Sequence, residues 1–237
     1  MPAAAELAAP PPDDYLPIIR ELLSYDVQCE ACCPLVRTDQ GGFGLERPPS
    51  PLYWSRQAEW PWAIQAAELT GTELCLDVGA GWSVLKYALA RRCHKVWCID
   101  TDLAGTAKAQ KTTEKLGVQN VSHHLGDACD LPFEDDSFDR VFCISVLEHV
   151  LPPHVPVVEE LIRVLKPGGR LLLSLDVNEG DHAGEPGNFF VGDQELTAVL
   201  TRLGIDRISY RQPFYRGVGR DHDHAFHVVL AYWDKPA

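Results

Sequence analysis

An apolar run, Leu74-Cys75-Leu76, stops at an acid and turns through two glycines in the stretch Asp77-Val78-Gly79-Ala80-Gly81-Trp82-Ser83. Gly79 and Gly81 leave the backbone bare where a ligand can lie against it, and glycine adopts the turn dihedrals that other residues avoid. A dinucleotide-binding turn requires a further glycine three places after the second, so that helix, strand and pyrophosphate approach closely. Val84 occupies that place. Asp77, just before the turn, would repel a pyrophosphate and attract an ammonium group. The turn therefore suits a cationic amino-acid nucleoside better than a nicotinamide dinucleotide.

Further polar residues fall at the ends of later apolar runs. Val96-Trp97-Cys98-Ile99 ends in Asp100, whose carboxylate can accept both hydroxyls of a ribose. Leu125-Gly126 leads to Asp127, suited to accept from an adenine amino group, and to Ala128, whose amide can donate to the ring. A fourth run ends at Ser145, followed by Val146-Leu147-Glu148-His149. His149 is the first candidate for a general base, because imidazole titrates near neutrality; packing alone is the alternative. His222 and His224, in Arg220-Asp221-His222-Asp223-His224, are equivalent candidates. On a strand those two would project from one face, and with Asp176 or His182 they could hold a divalent ion. A solvated polar strand is the simpler account, so no metal ligand is assigned.

These residues need a framework, and the chain supplies an alternating one. Apolar runs predict strands at Glu73–Val78, Lys95–Ile99, Val121–Leu125, Arg140–Ser145 and Arg170–Leu175, with helices beginning near Trp82, Asp102, Pro156 and Asp193. In the Pro156 helix, Val157, Val158, Leu161, Ile162, Val164 and Leu165 share one face, and Lys166-Pro167-Gly168-Gly169 ends it. Strand–helix alternation implies a parallel sheet covered on both faces. Arg207–Tyr210 and His227–Trp233 are joined too closely for a crossover helix and predict an antiparallel C-terminal hairpin. If its first strand parallels the others, the connection after it lies at the edge where ligands of such sheets bind.

Before the first strand, residues 1–13 read as a flexible Ala/Pro-rich tail and residues 14–70 as a helical cap or lid. Within the cap, Tyr15–Leu23 and Ser55–Leu69 carry helical periodicity around a Gly/Pro-rich loop. Residues 71–237 form the ligand-binding domain. The 237 residues carry a net charge of -13, which argues against an extended nucleic-acid or anionic-membrane surface. No secretory leader and no membrane-length apolar run is evident, so a cytoplasmic location is expected. Of eight cysteines, Cys75, Cys98 and Cys143 fall in core strands, where a thiol acts as a small hydrophobe. Cys29, Cys32 and Cys33 contain half of a zinc pattern without a matching second half, so free thiols are favoured.

Four blocks in this order resemble the class I S-adenosylmethionine-dependent methyltransferases, in the broad group acting mainly on small molecules. The blocks are Asp77-Val78-Gly79-Ala80-Gly81, Ile99-Asp100, Gly126-Asp127-Ala128 with Leu131-Pro132-Phe133, and Leu165-Lys166-Pro167-Gly168-Gly169. The resemblance covers Gly71 to Leu175 and implies a doubly wound, mostly parallel seven-stranded α/β sheet of the Rossmann-like methyltransferase type. It implies S-adenosylmethionine as cofactor, with Asp77, Gly79, Ala80 and Gly81 at the methionine end. Asp100 would serve the ribose and Asp127 with Ala128 the adenine, and Thr101 and Ser145 are further cofactor-binding candidates. Ser83 stands where the family often has a third glycine of its motif. Tyr53 or Arg56, on an N-terminal helix folded over the cofactor, would contact its carboxylate. The expected reaction is methyl transfer to an oxygen or nitrogen of a small-molecule acceptor. A non-catalytic S-adenosylmethionine-binding module and a metal-assisted O-methyltransferase are the alternatives.

Overall fold

The computed structural model describes residues 15–32, 56–177, 193–204, 210–215 and 225–237. The five predicted strands form as β1 (Leu74–Val78), β2 (Lys95–Asp100), β3 (Val121–Leu125), β4 (Phe138–Ile144) and β5 (Leu165–Val177). With β6 (Tyr210–Tyr215) and β7 (Ala225–Asp234) they make a seven-stranded sheet in the order β3-β2-β1-β4-β5-β7-β6. The pairs among β1 to β5 are parallel, whereas β7 runs antiparallel to both β5 and β6. The hairpin was therefore legible. Its first strand lies further along than Arg207–Tyr210, and it runs in the direction of β1 to β5.

Helices α1 (Leu16–Cys32), α2 (Arg56–Ala66), α3 (Leu85–Ala90), α4 (Leu103–Lys115), α5 (Val155–Val164) and α6 (Asp193–Leu203) cover the two faces. Alternation along the strands divides the core. Leu76, Val78, Val141 and Cys143 face α5 and α6, with Val157, Val158, Leu161 and Val199 fully buried. Cys75, Cys98, Phe142 and Leu172 face the other way, onto α1, α2 and α3 through Leu22, Trp60, Ile64 and Leu89. Trp60 is thus a packing residue. A bidentate pair from Arg92 to Glu21, at 2.9 and 2.6 Å, ties α1 to the end of α3. Cys75, Cys98 and Cys143 are buried free thiols. Among the described residues, no helix is long and apolar enough to cross a membrane.

Two local expectations shift. Helix α3 starts at Leu85 instead of near Trp82, because the turn consumes three more residues. The Ser83 amide donates to the Ala80 carbonyl at 3.0 Å, and the Ser83 hydroxyl accepts from the Leu85 amide at 3.0 Å. The Lys166-Pro167-Gly168-Gly169 segment belongs to the strand side of its junction: α5 ends at Val164 and Leu165 is already extended. Gly168 takes φ +75°, and its amide donates to the Lys235 carbonyl at 2.8 Å. The glycines thus bend the start of β5 where the β4–β5 register shifts between Phe138 and Arg140.

Candidate functional site

Strand order reverses between β1 and β4, and the crevice outside the carboxyl ends of such strands is where open α/β sheets bind ligands. A cavity of about 240 Å³ opens there. Seven of the predicted site residues line it: Gly79, Asp100, Thr101, Asp127, Ala128, Ser145 and His149. Val146 and Val150, which the sequence did not single out, supply an apolar wall.

The glycine turn is built by its neighbours. The amides of Gly79 and Ala80 donate to the Ile99 carbonyl at 2.8 and 3.2 Å, so the end of β2 holds the turn against the sheet. Gly79 takes φ +64°, and a Cβ there would sit 2.5 Å from Val146 Cγ2. Gly81 donates its amide to Asp100 Oδ2 at 2.8 Å, and the Asp102 amide donates to Oδ1 at 2.9 Å. The Asp100 carboxylate is thereby fixed by two amides, while each oxygen keeps acceptor capacity for a hydroxyl. Asp127 Oδ1 accepts from the Cys129 amide at 2.9 Å, which orients that carboxylate in the same way.

Asp77 carries the clearest sign of an intended partner. It is 3% exposed and its Oδ2 has no hydrogen-bond partner. Buried polar groups normally find one, since leaving a carboxylate oxygen unsatisfied is costly. Burial raises its pKa to about 7; Lys86 opposes that rise and Asp100 adds to it. An ammonium delivered to the turn would satisfy the oxygen and favour the ionised form. The residues present therefore fit the amino-acid end of S-adenosylmethionine.

At the β4 and β5 ends lies a second polar cluster. Glu59 of α2 is fully buried and accepts from the Ser145 hydroxyl at 2.5 Å, the Ser174 hydroxyl at 2.6 Å and the Arg56 guanidinium. Arg56 also donates to the Ser145 hydroxyl. Burial disfavours the Arg56 charge, but Glu59, Asp176 and Glu148 outweigh it and hold the guanidinium charged. Arg56 thus turns to this cluster and is not among the residues lining the cavity. Glu148, in the 3₁₀ turn Leu147–His149, is 3% exposed and neither carboxylate oxygen has a hydrogen-bond partner. Burial, then the Asp176 charge, pushes its pKa well above the usual carboxylate range. Burial and then Arg56 lower the His149 pKa, which favours the neutral imidazole.

Tyr53, His222 and His224 lie outside the described residues, as do His182 and Cys33. Among the described residues, no group of three or more His, Cys, Asp or Glu could hold a metal ion. The sequence reading missed Glu59 and Lys86. Lys86 was signalled by its place inside the apolar run Val84-Leu85-Lys86-Tyr87-Ala88-Leu89, and Glu59 only by directly preceding the run Trp60-Pro61-Trp62-Ala63-Ile64.

Comparison with known proteins agrees with this geometry. Residues 76–173 match the methyltransferase domain family. Methyltransferase GfsG of Streptomyces halstedii is 30% identical over 161 residues, covering 65% of this chain and 57% of that protein. A ubiquinone biosynthesis O-methyltransferase of Pseudomonas syringae is 34% identical over 134 residues, covering 52% of this chain and 56% of that protein. The chain therefore spans a little over half the length of these relatives. The crystal structure of YcgJ from Bacillus subtilis superimposes with a TM-score of 0.63 at 19% identity, over 76% of this chain and 98% of that one, which shows the shared fold.

Proposed function

We propose that this chain, whose residues 76–173 match the methyltransferase domain family, is a class I S-adenosylmethionine-dependent methyltransferase that transfers a methyl group from that cofactor to an oxygen or nitrogen of a small-molecule acceptor. The observation that carries this reading is the orphaned, buried Asp77 oxygen beneath a glycine turn at the switch point of the sheet. When bound, S-adenosylmethionine supplies an activated methyl group on a sulfonium leaving group, so the protein has mainly to align and desolvate the reactants. Asp77 receives the amino acid's ammonium, Gly79, Ala80 and Gly81 let its backbone approach, and Asp100 with Thr101 takes the ribose. Asp127 and the Ala128 amide take the adenine, and Ser145 closes the side toward the acceptor.

His149 accepts the acceptor's proton as the new bond to carbon forms. The place of His149 on the cavity wall supports this role. Relatives that are O-methyltransferases support oxygen as the receiving atom. The net charge of -13 supports a small acceptor over a nucleic-acid or anionic-membrane partner.

The test is calorimetric binding of S-adenosylmethionine, together with detection of S-adenosylhomocysteine release over a panel of hydroxyl and amine acceptors. Binding with turnover supports the proposal, and failure to bind refutes it. Binding without turnover on any acceptor favours the non-catalytic module. Asp77→Asn is expected to weaken cofactor binding by about tenfold to a hundredfold, the loss of one charge-assisted hydrogen bond. His149→Asn is expected to leave that affinity within about twofold and to lower kcat by roughly a hundredfold or more, the usual scale of general-base catalysis.

A further inference from the structure

We propose that Lys86 is a positioning residue of the cofactor site, its buried ammonium clamping the carbonyls of the glycine turn and balancing the charge of Asp77. The inference rests on the reading that Asp77 receives the cofactor's ammonium. Lys86 lies in the first turn of α3 and is 1% exposed, a burial that lysine rarely tolerates without partners. Its ammonium donates to the Gly81 carbonyl at 2.8 Å and to the Ala80 carbonyl at 3.3 Å. These bonds hold the carbonyl side of the turn whose amide side is held by Ile99 and Asp100. The turn is thus braced from both directions, with its bare face left to the cavity.

Electrostatics gives the same residue a second effect. The groups bearing on Asp77 are Lys86 from α3 and Asp100 from β2, with the Cys98 and Cys143 thiols of β2 and β4 close by. Burial keeps both thiols protonated, so they carry no charge into the balance. Lys86 is therefore the cation that favours an ionised Asp77, and Asp100 opposes it. A cationic ligand needs Asp77 ionised. Among the described residues, removing Lys86 leaves Asp77 and Asp100 without the cation that acts on Asp77, shifts Asp77 toward its neutral form and releases the turn.

The test measures the affinity of the full chain for S-adenosylhomocysteine, which carries the same ammonium, by calorimetry from about pH 6 to about pH 8.5. Melting temperatures of the ligand-free protein are taken over the same range. Wild-type affinity is expected to rise with pH through the Asp77 midpoint near 7, by up to about tenfold per pH unit below it. Lys86→Met is expected to bind roughly tenfold more weakly at pH 7 and to move the midpoint up by about one unit. Lys86→Gln keeps a donor for the carbonyls without the charge. It is expected to move the midpoint likewise and to recover near-wild-type affinity at the top of the range, and it carries the test if Lys86→Met fails to fold.

Ligand-free wild type should lose stability as pH rises toward 7, because the folded-state pKa of Asp77 is raised; in both variants that loss should extend to higher pH. Folded variants with wild-type affinity and an unchanged midpoint overturn the proposal. Asp77→Asn should abolish the pH dependence. If it does so while the Lys86 variants stay like wild type, Lys86 alone loses its role. If Asp77→Asn itself binds like wild type, the placement of the ammonium falls and this inference falls with it.

Discussion

Gly79→Ala is expected to raise the dissociation constant for S-adenosylmethionine by about a hundredfold or more. Two costs combine at this position. Gly79 sits at φ +64°, where a Cβ costs roughly 1–2 kcal/mol. The added methyl would also lie 2.5 Å from Val146 Cγ2 and 2.9 Å from Val146 Cγ1. Valine has few rotamers with which to retreat, and overpacking of this kind costs about 1–3 kcal/mol. The turn can relieve both only by moving off the Ile99 carbonyl, which carries its amides and the Asp100 contact with it. Calorimetry measures the loss, and a melting curve separates it from unfolding. Gly79→Ala with Val146→Ala should recover only part of the affinity, because the second change removes the clash and leaves the backbone strain. Full recovery would mean that dihedral freedom at Gly79 is dispensable.

The position of this turn was legible in the sequence because each of its cues is local. An apolar run ending in an acid, two glycines and a following helix need no knowledge of the remaining fold. The same holds for Asp100 and Asp127, each at the end of an apolar run, and all of these residues fall at one sheet edge. The boundaries were less legible. That α3 starts at Leu85 depends on the Ser83 hydroxyl capping the Leu85 amide, and serine is equally at home in a turn or a first helical turn. The Lys166-Pro167-Gly168-Gly169 segment carries a helix-stop signal that is also a strand-bend signal. Only the pairing of Gly168 and Gly169 with Lys235 at the far end of the chain decides between them.

Buried charge was the least legible feature. Arg56 suggested a ligand contact because arginine binds carboxylates, yet the carboxylate it binds is three residues along its own helix. Glu59 and Lys86 read as surface charges by type. Nothing in a single sequence says which charged residue will meet hydroxyls from strands about ninety to a hundred and fifteen positions away, as Glu59 meets Ser145 and Ser174. The helical period of α2 and α3 places both inward, but propensity argues against burying them. The partners that resolve the conflict are tertiary.

Glu59→Ala is expected to be the most destabilising single change in the polar cluster, at about 3–5 kcal/mol. The carboxylate accepts from Arg56, Ser145 and Ser174 while itself fully buried, so its removal takes the acceptor from two serine hydroxyls and leaves the guanidinium charge without its closest carboxylate, with the Ser145 oxygen still accepting from it. For a chain of 237 residues the melting temperature should fall by roughly 6–20 °C. Ser174→Ala removes one neutral hydroxyl that donates to Glu59 and accepts from the Ser145 amide, which keeps the Ser174 carbonyl at 3.1 Å, and should cost only about 1–2 kcal/mol. Glu59→Gln keeps the volume but not the charge, so it should fall between the two if the ion pair dominates. If the hydroxyl bonds dominate instead, Glu59→Gln should match Ser174→Ala, since an amide oxygen still accepts from a serine. The consequence for the site follows from Ser145, which lines the cavity at φ +52° and is held there by Glu59 and Arg56 through its hydroxyl and by Ser174 through its amide. Losing Glu59 releases one of those restraints on the cavity wall. Cofactor affinity should then change less than kcat, because the Asp77 turn is held by β2 and Lys86, not by α2.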